Sequence, residues 1–175
     1  QRLPMIILDT SAVVKNRAMF SARGAGILGF SMFARDKVFA LDEHMELDRE
    51  GLEAFLKKHE GEDIFLFGFT FMIWQHFVAR LRETGYHPDL SRGVLVHGGG
   101  WKKLADQQIS TGRFKRELRE TCGLTRVHNY YGMVEQTGTI YMECEHGHLH
   151  APVWSDVTIR RAADFSVADA GETGL

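Results

Sequence analysis

Apolar residues change their spacing several times along this chain, and the changes predict strands alternating with helices. Met5 to Leu8 is an unbroken apolar run of the length of a buried strand. Ile27 to Ala34 and Val38 to Leu41 read as two more strands, separated by the polar turn Arg35-Asp36-Lys37, with Gly24, Gly26 and Gly29 loosening the first. From Asp48 the period changes. Leu52, Phe55 and Leu56 recur at helical spacing behind an acidic first turn (Asp48, Glu50, Glu53) and ahead of Lys57, Lys58 and His59. That order of charges suits a helix of about three turns, closing near Gly61.

Ile64 to Phe67 reads as a fully buried strand, and Thr70 as the cap of a helix that carries Trp74, Phe77, Val78 and Leu81 and ends at Gly85. The unit repeats in Gly93 to Val96, a Gly-Gly-Gly turn, a helix between Ser110 and Thr121 with Phe114 and Leu118 on one side, and a strand Arg126 to His128 leading into a loop from Asn129. This predicts an α/β fold with a mostly parallel sheet flanked by helices. Beyond it, Thr139 to Glu143 and Val157 to Arg160 alternate without helical periodicity, so a small antiparallel β addition joined through a histidine-rich turn is expected. The expected layout is an α/β subdomain over residues 1–138 and a β-rich extension of the same domain over 139–175.

Composition narrows the class. Hydrophobic residues at 44% and charged residues at 25% are those of a globular protein. A formal net charge of −2 exerts no general pull on nucleic acid or an anionic membrane. The run Ile64 to Trp74, broken by Gly68 and Thr70, falls short of the roughly 20 apolar residues of a membrane span. Cys122 and Cys144 do not form a disulfide framework, and a reducing cytoplasm is expected. The start at Gln1 and the stop at Leu175 read as the ends of an internal piece of a longer protein.

Candidate chemistry gathers just past two of the strands. His97-Gly98-Gly99-Gly100 places three glycines at the carboxyl edge of the expected sheet, where open α/β sheets bind ligands. Such a turn lets backbone N–H groups approach a ligand, or is simply a tight loop. It lacks the Gly-x4-Gly-Lys spacing of a Walker loop. Asn129-Tyr130-Tyr131-Gly132-Met133-Val134-Glu135 offers an aromatic ring for a base, a glycine for close approach and a carboxylate for a hard cation. Half-buried packing is the plainer reading of the two tyrosines.

Phe69 to Trp74 is read as ordinary helix-to-sheet packing before the wall of an alkyl pocket. Lys102 and Lys103 begin a solvated helix face or attract phosphate. Cys144, His146, His148 and His150 are zinc-ligand types. Four ligands on one side of one strand cannot surround a tetrahedral ion without help from a residue such as Cys122 or His128. A solvated hairpin turn is therefore expected there rather than a structural zinc.

The order strand, Gly-Gly-Gly, helix, strand, Tyr-Gly-x-x-Glu resembles the adenylate-forming superfamily of acyl- and aryl-CoA ligases, luciferases and peptide-synthetase adenylation domains. Within it, the segments Met19 to Gly26, Phe39 to Glu43, Phe67 to Trp74, His97 to Lys102 and Tyr131 to Gly138 are most similar to the LuxE-type acyl-protein synthetases of bacterial luminescence systems. The resemblance implies ATP-dependent activation of a long-chain fatty acid to an acyl-adenylate and transfer of the acyl group to a protein thiol, with an acyl reductase as a partner. It puts Gly98, Gly99 and Gly100 beside the adenine and acyl-adenylate, and Tyr131 against the adenine ring. Gly132 and Met133 then lie near the acyl carbonyl, Glu135 holds Mg2+, and Asn129 braces the loop.

Val134 departs from the superfamily's usual Thr or Ser, and Thr137 is the candidate to replace that hydroxyl. A phosphate loop, a ribose-binding Asp, a mobile lysine and an acceptor cysteine are not found in the chain, so these 175 residues alone are expected to be inactive. An acyl- or aryl-coenzyme A ligase, and a non-catalytic nucleotide- or acyl-binding module, are the alternative functions.

Overall fold

The computed structural model describes residues 2–15, 22–101, 108–132 and 138–175. Two compact units divide the chain, Gln1–Tyr130 and Tyr131–Leu175. The apolar run at Met5 lies within β1 (Leu3–Thr10), whose residues are buried from Pro4 onward. It leads through the short α1 (Ala12–Lys15) and α2 (Ala22–Ser31) into β2 (Ala34–Leu41). Then come α3 (Arg49–Lys58), β3 (Ile64–Phe69), and a helix that is α-helical at α4 (Thr70–Met72), a π-helix at Ile73–Val78 and α-helical again at α5 (Ala79–Thr84). β4 (Gly93–Gly98), α6 (Thr111–Cys122) and β5 (Arg126–Tyr131) follow.

The five strands are parallel and lie in the order β2-β1-β3-β4-β5. The chain steps outward from β1 to β2, crosses back to β3, and then runs on in one direction. Helices therefore cover both faces. One face presents Ile6, Leu8, Leu66, Leu95 and Val127 to α3, the π segment, α5 and α6, which contribute Leu52, Phe55, Phe77, Leu81, Phe114 and Leu118. The other presents Met5, Ile7, Phe67, Phe69 and Val96 to α2, anchored by Ile27. Each such side chain contributes about 1.5–3 kcal/mol by leaving water. The mostly parallel α/β sheet expected from the pattern is what forms.

Four local readings are corrected. Ile27 to Ser31 is helical, because Gly26 lets α2 lie against the sheet: a Cβ there would sit 3.3 Å from the Phe69 ring and 3.4 Å from that of Phe67. Arg35, Asp36 and Lys37 are part of β2 and not a turn. As the outer strand on that side, β2 can carry charge where an inner strand cannot. Thr70 is the first residue of α4 and not its cap, which is Phe69. Asn129 belongs to β5, so the loop after that strand begins later than the polar residue suggested.

Helix ends follow their local chemistry. Asp48 caps α3 by accepting from the Gly51 N–H at 2.9 Å, and Ser110 caps α6 by accepting from the Arg113 N–H at 3.2 Å. Gly85 (φ 64°) and Gly123 (φ 75°) close α5 and α6 in the left-handed region.

In the smaller unit β6 (Tyr141–Glu143) pairs antiparallel with β7 (Leu149–His150) across a turn closed by Cys144 N–H to His148 O, 2.9 Å. The expected partner, Val157 to Arg160, is not the second strand: Arg160 makes an isolated bridge to Val167 and exchanges backbone hydrogen bonds with Leu175 at 2.8 and 3.0 Å. Next to it Arg161 reaches Asp169 at 2.7 Å and Glu172 at 2.6 and 2.8 Å. Among the described residues no helix is long and apolar enough to cross a membrane.

Candidate functional site

Parallel register brings the chemistry of the larger unit to one edge. Phe69 on β3 stands opposite Gly98 on β4, and Gly98 stands opposite Tyr130 on β5, while His97 is level with Asn129. Just beyond these carboxyl ends lies a cleft of about 190 Å³ lined by Thr70, His97, Gly99, Gly100, Phe114 and Asn129. Its apolar side is an aromatic cluster, with Phe114 4.9 Å from the His97 ring and Trp101 6.0 Å and nearly perpendicular to Trp74. Within the string Phe69 to Trp74, Phe69, Met72 and Ile73 are core residues, and Trp74 reaches this cluster. Ordinary packing accounts for most of that string.

The polar side is organised by Thr70. Its Oγ1 lies 2.9 Å from His97 Nδ1 and 3.1 Å from the Gly98 carbonyl oxygen, and all three groups are buried.

The three glycines are glycine for different reasons. Gly98 has no room for a side chain, since a Cβ would lie 2.4 Å from the Tyr130 ring. Gly99 adopts φ +74° and lies under the Phe69 ring, with a Cβ position 2.8 Å from it. Gly100 has no neighbour within 4 Å of its Cβ position among the described residues, and it is the one whose open side a ligand could use.

The two tyrosines also part. Tyr130 packs 5.3 Å from Phe30 and 6.1 Å from Phe67, and burial pushes its hydroxyl pKa up. Half-buried packing describes it. Tyr131, in the smaller unit, is 51% exposed, and its ring lies 6.1 Å from Tyr141 at 37°. An exposed ring of this kind leaves a face for stacking. Among the described residues Gly132 has only the Thr139 carbonyl near its Cβ position, at 3.9 Å. Met133, Glu135 and Thr137, with Val134, lie outside the described residues, as do Lys102 and Lys103.

One constellation was missed in the sequence. Asp9, at the carboxyl end of β1, is wholly buried and lies 3.0 Å from Arg23 Nε, a Coulombic contact and not an aligned hydrogen bond. Arg23 also directs Nη1 to Met72 Sδ at 3.4 Å. Burial raises the Asp9 pKa, outweighing the opposing pull of Arg23 and of the Thr10 N–H. The pair stands where the chain order reverses between β1 and β3, the crevice that ligands favour in open α/β sheets. The signal available was an aspartate closing an apolar run with an arginine in the next helix.

Cys122 is buried on α6, donates to the Leu118 carbonyl at 3.1 Å, and has its thiol pushed up to about 11 by burial. It is not a thiolate nucleophile at neutral pH. Cys144 and the histidines after it occupy the β6–β7 turn and β7, and His146, His148 and His150 are exposed. Among the described residues no group of three or more His, Cys, Asp or Glu side chains is placed to hold a metal ion.

A doubly wound parallel sheet with a glycine turn and a cleft at its carboxyl edge defines an open-sheet α/β domain. The family model for acyl-protein synthetase, LuxE, matches residues 1–175, and the chain belongs to that family. No curated protein and no solved structure matches the chain.

Proposed function

We propose that the protein activates a long-chain fatty acid with ATP, forming an acyl-adenylate by the adenylate-forming route, and passes the acyl group to a protein thiol. What carries this reading is the cleft beside Gly99 and Gly100, in a chain of the acyl-protein synthetase family. The aromatic side formed by Trp101, Phe114 and Trp74 suits an alkyl group, which gains about 0.8 kcal/mol per buried CH₂ without needing polar partners. The polar side, with the Gly99–Gly100 backbone and Asn129, suits the carboxyl end.

In this reading Gly98 to Gly100 line the acyl-adenylate, Tyr131 stacks on the adenine, and Gly132 and Met133 flank the acyl carbonyl. Asn129 braces the loop after β5, Glu135 holds Mg2+, and Thr137 supplies the hydroxyl that Val134 lacks. Magnesium would neutralise phosphate charge. The exposed ring of Tyr131 fits a stacking role. The resemblance matches neither Cys122 nor Cys144 to the acceptor thiol, and Cys122 is buried. A reductase that takes up the acyl group is the fitting partner.

Calorimetry of the intact protein with a non-hydrolysable acyl-adenylate mimic tests the assignment. Tyr131→Ala and Glu135→Ala are each expected to weaken binding at least tenfold, and unchanged affinity in both would overturn it.

A further inference from the structure

The hydrogen-bond arithmetic at Thr70 determines more than packing. A threonine hydroxyl has one proton to give and lone pairs to accept with. The Gly98 carbonyl, 3.1 Å from Oγ1, can only accept, so the Thr70 proton goes there. The contact of 2.9 Å to His97 Nδ1 is then a bond in which the ring donates and Thr70 accepts. His97 therefore carries its proton on Nδ1.

The chain of donation runs from the His97 ring through Thr70 to the Gly98 carbonyl. It ties the start of α4 to the exit of β4, two positions 27 and 28 residues apart in sequence. A trans peptide is planar, with C=O and the following N–H pointing in opposite directions. Holding the Gly98 carbonyl on Thr70 thus fixes the direction of the Gly99 N–H. It does so at the residue where the chain takes a positive φ of 74° and leaves the sheet along the cleft.

We propose that Thr70 and His97 are positioning residues for this site: the Nδ1–H to Oγ1–H to Gly98 carbonyl chain sets the Gly98–Gly100 backbone before substrate arrives. Neither residue needs to touch the reacting atoms. The kinetic consequence rests on the activation reading given above, whereas the protonation of His97 does not. Both partners are buried, Thr70 just past the end of β3 and His97 on the neighbouring parallel strand β4, so the geometry is held without solvent competition.

The test uses four variants of the intact protein, assayed by fatty-acid-dependent ATP–pyrophosphate exchange, with urea midpoints measured alongside. Thr70→Val removes the hydroxyl at nearly constant volume, and Thr70→Ser keeps it. His97→Asn keeps a donor at the Nδ1 position, and His97→Gln moves it to the Nε2 position. Misplacing a site by about 1 Å can cost roughly 100-fold. Thr70→Val and His97→Gln are therefore expected to lose about that factor in kcat with KM changed less than about threefold, while Thr70→Ser and His97→Asn stay within about fivefold of wild type. Full exchange by Thr70→Val overturns the proposal, as does equal loss in Thr70→Ser. So does a reversed order of His97→Asn and His97→Gln.

Nitrogen-15 NMR of the His97 ring supplies a readout independent of activity. Nδ1 is expected to carry the proton in wild type, and a ring protonated on Nε2 alone would overturn the proposal even with all activities as expected. Wild-type protein that shows no exchange would overturn the activation reading, with the NMR result still deciding the hydrogen-bond chain.

Discussion

Gly98 lies directly beneath Tyr130, so that a Cβ on the glycine would stand 2.4 Å from Cε1 of the tyrosine ring. The two are register partners on neighbouring strands, and the ring in turn packs on Phe30 and Phe67. Gly98→Ala should therefore destabilise the fold by about 1–3 kcal/mol through overpacking. Tyr130→Leu should lessen that cost by making room. A double-mutant cycle by urea denaturation checks this: the double variant should be more stable than the sum of the singles implies. Strict additivity would mean that the ring is not what excludes the side chain.

The next two glycines should behave differently from each other. Gly99 needs φ +74° and sits under the Phe69 ring. Alanine there should cost about 1–2 kcal/mol from backbone conformation, with crowding added. Among the described residues nothing lies within 4 Å of the Gly100 Cβ position, so Gly100→Ala should leave stability within about 0.5 kcal/mol. It narrows the cleft, however, and should weaken binding of the acyl-adenylate mimic. Normal stability with weakened binding in Gly100→Ala would identify the ligand-facing glycine, and unchanged binding would remove Gly100 from the site.

What was legible in the sequence is what depends on local spacing. The buried strands β1, β3 and β4, the helix α3 with its acid-first, base-last ends, and the positions of Gly85 and Ser110 follow from periodicity and capping chemistry. The helix α2 did not, because a short apolar run with three glycines fits a strand or a buried helix equally until Gly26 is seen against the Phe67 and Phe69 rings. Val38 to Leu41 was legible as a strand, but the first half of β2 hid behind Arg35-Asp36-Lys37, since charge marks a turn and an outer strand alike. At the site, the glycine turn and Asn129 were visible, but the division of labour among Gly98, Gly99 and Gly100 was not. That division, like the Thr70 to His97 bond and the Asp9 to Arg23 pair, is made by parallel register and packing across residues far apart in sequence.

The two cysteines offer a direct probe of α6. Burial pushes the Cys122 thiol up to about 11 and its hydrogen goes to the Leu118 carbonyl, whereas Cys144 is only partly covered. A thiol reagent such as Ellman's should label Cys144 in the native protein and Cys122 only when α6 is released from the sheet. The slow phase should disappear in Cys122→Ser and its rate should follow unfolding as urea is raised. Prompt labelling of Cys122 in native conditions would contradict its packing in the core.

Acid should act with one sign through Asp36 and Glu62 and with the opposite sign through Asp9. Asp36 is held well below its ordinary 3.8, first by Lys58 and then by His59, whose Nε2 lies 2.8 Å away. Glu62 is lowered from 4.5 by His59, with Nδ1 at 3.0 Å, and by Arg35. Groups depressed in the folded state stabilise it fully above their unfolded values and lose that contribution as pH falls through the folded ones. Asp9 runs the other way. Its folded pKa is raised above 3.8, so the folded state holds a proton longer and stability declines as pH rises through that raised value. Urea denaturation between about pH 2.5 and 7 should therefore show a decline below about pH 4.5 that is shallower in Asp36→Asn, and a decline on the rising side that is absent in Asp9→Asn. Curves for the three proteins that run parallel across that range would show that neither carboxylate differs between the folded and unfolded states.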